Sequence, residues 1–279
     1  MKLSCLPVSL YPELTAGRMM PDDWFRMAHS LGLDGADLSV AHVRSRDAAY
    51  LDVLRKEAAG AGVHIVMLAT YSDFTHPEAA ERERQIDDVH GWIAAAAQLG
   101  VRFLRLTAGQ AHTGVTEEAG LQWAAEGLMA CLPAAEAAGV SLLYENHVRG
   151  AFWSTNDFTQ PAARFLEVVR RTAGSDLKLL FDTANCLALG DDPVAVLNQV
   201  RERVGAVHLS DIRQVGTFEP TVIGTGVAPI TQLLQILVAD EFDGWMSIEE
   251  ASRSGEEGFR RAVAFADAAW QEAGGQARR

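Results

Sequence analysis

The run LLYENH, residues 142–147, sets three apolar or aromatic side chains directly before Glu145, Asn146 and His147. As a β-strand it is buried along most of its length, yet it delivers a carboxylate and an imidazole at its C-terminal end. One such ending is a strand meeting solvent. A series of them needs a common cause. Counting outward, β-rich stretches recur at 2–10 (KLSCLPVSL), 33–39 (LDGADLS), 63–70 (VHIVMLAT), 101–107 (VRFLRLT), 140–146 (VSLLYEN), 177–183 (LKLLFDT), 204–210 (VGAVHLS) and 244–250 (GWMSIEE), eight in all.

Between them lie alanine-, leucine- and charge-rich stretches with amphipathic spacing, such as DAAYLDVLRKEAAGAG, ERERQIDDVHGWIAAAAQLG and EEAGLQWAAEGLMACLPAAEAAGV. Gly62, Gly100 and Gly139 each stand ahead of the next strand, where a helix C-terminus favours glycine. Alternating strand and helix implies a mostly parallel sheet, because a parallel connection must cross over a helical layer. Eight such units in 279 residues fit an α/β fold of one kind, a single (β/α)8 TIM barrel spanning 1–279 as one domain. The rival, an open doubly wound sheet, would want a GxGxxG after its first strand, and none is present. The segment from Glu256 supplies the last outer helix, and the closing GGQARR, 274–279, is expected to fray.

A composition of 48% hydrophobic and 22% charged residues supports a sizeable core rather than disorder. With 24 Lys and Arg against 37 Asp and Glu the net charge is −13, which disfavours a nucleic-acid partner. No apolar run reaches the roughly 18 residues of a membrane span. The N-terminal KLSCLPVSL is followed by Pro12 and Glu13 without a small-residue cleavage site, which argues against a secretory signal. Cys5, Cys131 and Cys186 are odd in number and widely spaced, the usage of a reducing, cytoplasmic compartment in which each serves as a small core hydrophobe.

Four successive strands of the second half repeat the ending of LLYENH: they reach Glu145, Asp182 in LLFDTAN, His208 in VHLSD and Glu249 in SIEE. The separations of 37, 26 and 41 residues are each about one βα unit, and in a barrel all C-terminal strand ends open on one mouth. Three carboxylates crowded there would repel one another and retain protons. A divalent metal removes the conflict. An oxygen-rich set with one imidazole suits Mn²⁺ first, then Mg²⁺ or Co²⁺, with Zn²⁺ a poorer match.

The runs YENH, FDTAN, VHLSD and GWMSIE resemble the sugar isomerase and epimerase family with the xylose-isomerase-like barrel, which takes in ketose 3-epimerases, inosose-processing enzymes and hydroxypyruvate isomerase. The resemblance extends over most of the chain. It implies that Glu145, Asp182, His208 and Glu249 are metal ligands, and that Glu145 and Glu249 also exchange the substrate's proton from its two sides. It places the last ligand directly after the Ser-Ile pair, at Glu249, leaving Glu250 to point the opposite way. Two positions depart from the family pattern: Asn185 stands where epimerases carry a substrate-binding histidine, and Ser210 where the strand-seven motif carries lysine. Both leave the ligand set intact and bear on the substrate. A homodimer or homotetramer is a further implication.

A metal that grips a carbonyl oxygen and a neighbouring hydroxyl stabilises the enediolate left when the α-carbon loses its proton, with glutamates as base and acid. Return of the proton to the opposite face is epimerisation, return to the next carbon is isomerisation, and loss of a β-hydroxyl is dehydration. The expected activity is that of a divalent-metal-dependent isomerase or epimerase of a ketose, keto-inositol or similar polyhydroxy carbonyl compound. A dehydratase is the first alternative and a non-enzymatic binding barrel the second. A DNA-nicking enzyme of the same barrel type is disfavoured by the single histidine of the tetrad, by Asn185 and by the acidic charge. Expected substrate contacts are Arg213, which resembles a family arginine, Asn185, Arg105 near the end of strand four, and His147, two residues beyond Glu145 on the same strand face. Tyr11, Tyr71, Phe74, Phe152 and Trp153 fall just past strand ends and are candidates to wall a sugar pocket. VIGTGVAPI, 222–230, lacks the Lys-Ser or Lys-Thr of a phosphate loop and reads as a structural turn.

Overall fold

All eight strands form: β1 Lys2–Leu6, β2 Gly35–Ser39, β3 His64–Ala69, β4 Phe103–Leu106, β5 Ser141–Glu145, β6 Lys178–Asp182, β7 Val204–Leu209 and β8 Trp245–Glu249. The computed structural model describes residues 1–278. The helices are α1 Tyr11–Thr15, α2 Pro21–Ser30, α3 Ala48–Gly60, α4 Ala79–Leu99, α5 Glu117–Ala138, α6 Ala162–Arg171, α7 Pro193–Val200, α8 Ile230–Ala239 and α9 Gly255–Glu272. The first strand is shorter than its apolar run. Pro7 has no N–H to give a ladder, and Val8–Leu10 turns instead into a 3-10 helix. Gly100 and Gly139 close α4 and α5 in left-handed conformation at φ 72° and 68°, where a side chain would be strained.

The strands pair in parallel in the order β1-β8-β7-β6-β5-β4-β3-β2. The seam between β1 and β2 is bridged by Asp34, whose N–H donates to the Leu3 carbonyl and whose Oδ2 accepts the Leu3 N–H, both at 2.8 Å. The result is a nearly closed (β/α)8 barrel.

Side chains along a strand alternate faces, so Phe103 and Arg105, Leu143 and Glu145, Leu180 and Asp182, Ala206 and His208, and Trp245, Ser247 and Glu249 all point inward. The lower members pack with Val66 and Met67 into an apolar plug. The upper members form a polar layer at the C-terminal mouth. Between sheet and helices lies the main apolar core, which includes Trp24, Phe25, Tyr144, Phe165, Phe181 and Phe259.

Residues 274–278 of the closing GGQARR follow α9 and fold back on the barrel. Trp270 Nε1 donates to the Gln276 carbonyl at 3.1 Å, and Arg278 makes paired contacts to Asp267 at 2.6 and 2.9 Å and one to Asp34 at 3.1 Å. A guanidinium fork matches a carboxylate geometrically, which anchors this end. Arg279 lies outside the described residues. Among the described residues, no helix is long and apolar enough to cross a membrane.

Candidate active site

Glu145, Asp182, His208 and Glu249 each offer one ligand atom at the mouth, all within 4.8 Å of one another. The first three are buried and Glu249 is part-exposed. His208 Nδ1 lies 2.9 Å from Glu145 Oε1 and 3.2 Å from Glu249 Oε2, so one imidazole nitrogen faces two carboxylates. Asp182 is divided between two tasks. Its Oδ1 accepts the Ala184 N–H, the Asn185 N–H and the Ser210 hydroxyl at 2.7–2.9 Å, while its Oδ2 is buried without a partner. Glu145 Oε2 is likewise buried without a hydrogen bond, facing Arg105 Nε at 3.2 Å.

The electrostatics reflect this crowding. Burial pushes the Asp182 carboxyl up, and the nearby Glu249 and Glu145 push it further, to about 8. Burial raises Glu145 too, but Arg105 and His208 outweigh it and hold that carboxyl at about 2. For His208 burial works against the charge and the two glutamates for it, and the glutamates win, raising the imidazole well above its ordinary range. An acid that keeps its proton because it is buried and crowded by two other acids, with one oxygen unpartnered, fits a divalent cation. Oxygen donors with one nitrogen are the right chemistry for it.

Above the cluster opens a cavity of about 800 Å³. Arg105, His147 and Glu249 line its inner end, with Tyr11, Tyr71 and Phe152 on its walls. Arg105 stacks over Tyr71 at 5.0 Å, and Tyr71 meets Phe152 edge-on at 5.5 Å. His147 Nδ1 is 3.4 Å from Asp157 Oδ2, and its ring packs against Trp153. An aromatic wall, a cation and a carboxylate around a floor of metal-type ligands suit a small polar molecule with apolar faces.

Residues 25–269 match the family described as "Xylose isomerase-like TIM barrel". The chain belongs to this family. Among relatives of the xylose isomerase-like barrel, an inosose dehydratase of Clostridium beijerinckii is 27% identical over 143 residues, 45% of each chain. The match thus spans less than half the length of that curated relative. A D-psicose 3-epimerase of Clostridium cellulolyticum H10, solved with D-tagatose, superposes with TM-score 0.77 at 15% identity over 96% of this chain and 98% of that one. The IolI protein with a bound zinc atom superposes with TM-score 0.78 at 16% identity over 97% and 98%. At those identities the likeness is one of fold.

The xylose isomerase-like barrel brings together most of the residues singled out in the sequence, but not all. Glu249 joins the cluster, whereas Glu250 turns away into bonds with Ser252. Arg105 and His147 reach the cavity. Asn185 is buried next to the cluster, with its backbone N–H on Asp182, but does not line the cavity. Arg213 is exposed and is not among the residues lining this cavity. Its N–H pairs with the Glu219 carbonyl at 2.9 Å, closing a loop that turns Phe218 and Glu219 toward the cavity instead. Phe74 is fully buried against Gly127 and Trp153 packs behind His147, so neither walls the pocket.

The turn at 222–230 is held by Asp211, whose carboxylate accepts the N–H groups of Gly224, Gly226 and Ala228 at 2.7–3.0 Å. Sequence reasoning missed Asn146, which clamps Asp182 by accepting its N–H at 2.7 Å and donating to its carbonyl at 3.0 Å. An amide between the two titratable residues of the strand end was the available signal. It also missed Arg149, Phe218 and Arg253, loop residues of the cavity with no periodic signal to mark them. All three cysteines are buried, and burial pushes Cys131 and Cys186 to about 12, consistent with packing roles.

Proposed function

We propose that the protein is a divalent-metal-dependent isomerase or epimerase acting on a ketose, keto-inositol or similar small polyhydroxy ketone. The observation that carries this reading is Glu249, which contributes one carboxylate both to the ligand cluster and to the cavity above it. When bound, a divalent cation supplies Lewis-acid stabilisation of charge developing on a carbonyl oxygen; Mn²⁺ is the choice the donor set favours. Glu145, Asp182, His208 and Glu249 would hold it. Glu249, on the cavity side, takes the α-proton. Glu249 hands that proton to the neighbouring carbon in isomerisation; in epimerisation Glu145, ionised beside Arg105 at rest, takes up a solvent proton as negative charge develops in the substrate and gives it to the opposite face. Arg105 and Tyr71 bind the far hydroxyls, and the aromatic wall excludes water.

A second reading, loss of a β-hydroxyl, draws support from the inosose dehydratase relatives and from His147. That imidazole lines the cavity with Asp157 behind it, the arrangement of a group that hands a proton to a leaving hydroxyl. One experiment separates the two: turnover of ketoses, keto-inositols and 3-keto glycosides in D₂O with Mn²⁺, followed by NMR and mass spectrometry. Deuterium at the α-carbon with unchanged skeleton mass supports isomerisation or epimerisation, and loss of one water supports dehydration. No turnover of any of these with a fully metal-loaded protein would overturn both readings. We further infer a cytoplasmic dimer or tetramer that binds neither membrane nor nucleic acid. Light scattering that returned the mass of a single chain would refute the assembly.

A further inference from the structure

Below the ligand cluster, inside the barrel, lies a buried acid that the proposed chemistry does not use. Asp37 of β2 has no solvent exposure, and its Oδ2 accepts the hydroxyls of Ser4 on β1 and Ser247 on β8. Its other oxygen, Oδ1, is buried with no hydrogen-bond partner. His208 presents a matching vacancy in its bonding. Its Nδ1 faces Glu145 and Glu249, while its Nε2 is buried without a partner. The strand register sets both at one level of the barrel, since Ser247 is paired with Ser4 on one side and with His208 on the other. Asp37 reaches Ser247 from beyond Ser4, which carries its carboxylate across β1 to the residue paired with His208. The two groups are close enough to interact electrostatically, and burial of Asp37 is partly offset by the serine hydroxyls, His208 and the Met67 amide.

We propose that Asp37 is the positioning residue for His208: its Oδ1 accepts the Nε2 proton across one water, which fixes the tautomer that leaves Nδ1 free to ligate. The inference rests on the metal-centre reading. A ligating histidine ordinarily donates its second ring N–H to a carboxylate, carbonyl or water, and loss of that partner weakens metal binding by about 10–100-fold. Here β2 would supply the acceptor to a ligand on β7, three strands away across β1 and β8 with their Ser4 and Ser247, coupling the β1–β2 seam of the barrel to its metal centre.

The test uses Asp37→Asn and Mn²⁺ affinity measured by competition with a chelator. The variant keeps an acceptor for the two serines but loses the carboxylate, and its Mn²⁺ affinity should fall about 10–100-fold. The double variant Ser4→Ala/Ser247→Ala removes only the partners of Oδ2 and should change Mn²⁺ affinity less than about 3-fold, on the same scale. In the wild-type protein loaded with Zn²⁺ as a diamagnetic probe, ¹⁵N NMR should find His208 protonated at Nε2, a readout that does not depend on any variant folding. Wild-type protein that binds Mn²⁺ while Asp37→Asn binds it equally well overturns this proposal and leaves the metal centre standing. So does a serine double variant with the same loss, or His208 protonated at Nδ1 in the Zn²⁺ form. Wild-type protein that binds no Mn²⁺ overturns both.

Discussion

Asp182→Asn probes the centre with the least disturbance. The amide oxygen can replace Oδ1 and keep the bonds from the Ala184 and Asn185 N–H groups and the Ser210 hydroxyl, three contacts that hold the β6–α7 turn. The amide NH₂ then falls where Oδ2 is aimed into the cluster, and it has no lone pair for a metal. Loss of a direct ligand should exceed the roughly 100-fold upper range for an outer partner. At a metal concentration about 100 times the wild-type dissociation constant, wild type gains about 2.7 kcal/mol from binding, and a 100-fold weaker variant only about 0.4 kcal/mol. For a chain of this size that difference is a loss of roughly 4–8 °C in metal-induced Tm shift. Metal-free protein should respond in the other direction. Asp182 has a folded pKa raised to about 8 from 3.8, so the folded state holds a proton that the unfolded chain releases, and metal-free stability falls as pH rises through that window. An asparagine has nothing to release, so the metal-free variant should equal or exceed metal-free wild type at pH 8. Scanning calorimetry with and without Mn²⁺, alongside elemental analysis, reads both. A variant with full occupancy and an undiminished Mn²⁺ shift would refute the assignment of Asp182 as a ligand.

Three further outcomes are expected. Arg105→Met leaves Glu145 buried without its cation and should cost about 3 kcal/mol in urea unfolding of metal-free protein; a cost below about 1 kcal/mol would show that the pair contributes little. Burial lowers His42 to about 4 from 6.5, so the unfolded chain takes up a proton that the folded one refuses, and the corresponding stability is complete above pH 6.5 and lost as pH falls toward 4. That slope, on the order of 2–3 kcal/mol in total, should flatten in His42→Phe, and an unchanged slope by urea titration would contradict it. Gly226→Ala would put a Cβ 2.2 Å from the Ile212 carbonyl and 2.3 Å from Asp211 Oδ1, and should lower stability by about 2 kcal/mol or more with a Tm drop to match; an unaltered Tm would mean that the turn yields freely.

Which parts of this site were legible in the sequence follows from how each residue is placed. Glu145, Asp182, His208 and Glu249 end strands, and two-residue alternation fixes their direction once Leu143, Leu180, Ala206 and Ser247 are assigned inward. A single choice of face therefore places all four. The place of Arg213 was not legible, because it lies past the strand, in a loop whose course is decided by its N–H pairing with Glu219 and by the Asp211 carboxylate gathering amides from 224 to 228. Neither bond has a sequence period. Asp37 was invisible for another reason. In GADLS it reads as one polar residue in a strand, and its meaning depends on Ser4 and Ser247, the latter 210 positions away. The placement of Arg278 likewise depends on Asp34 and Asp267 meeting one arginine.

Charge balance carries the argument one step further, to the substrate. Glu145, Asp182 and Glu249 bring three negative charges to one point and Arg105 brings one positive. A dication with neutral His208 makes the centre neutral, provided Glu145 stays ionised, which Arg105 ensures. A neutral centre offers no electrostatic premium to an anion and suits a polyhydroxy ketone, whose hydroxyls need donors and acceptors more than counter-charges. Two further cations of the cavity, Arg149 and Arg253, lie in loops and are exposed to solvent screening; Arg149 is held by the Trp153 and Ser154 carbonyls. For a neutral substrate KM should therefore change less than about 2-fold between 50 and 500 mM salt, the range over which exposed charges lose most of their reach. A KM rising several-fold over that range would mean that these arginines recognise a charged group, and would refute the neutral ketone as substrate.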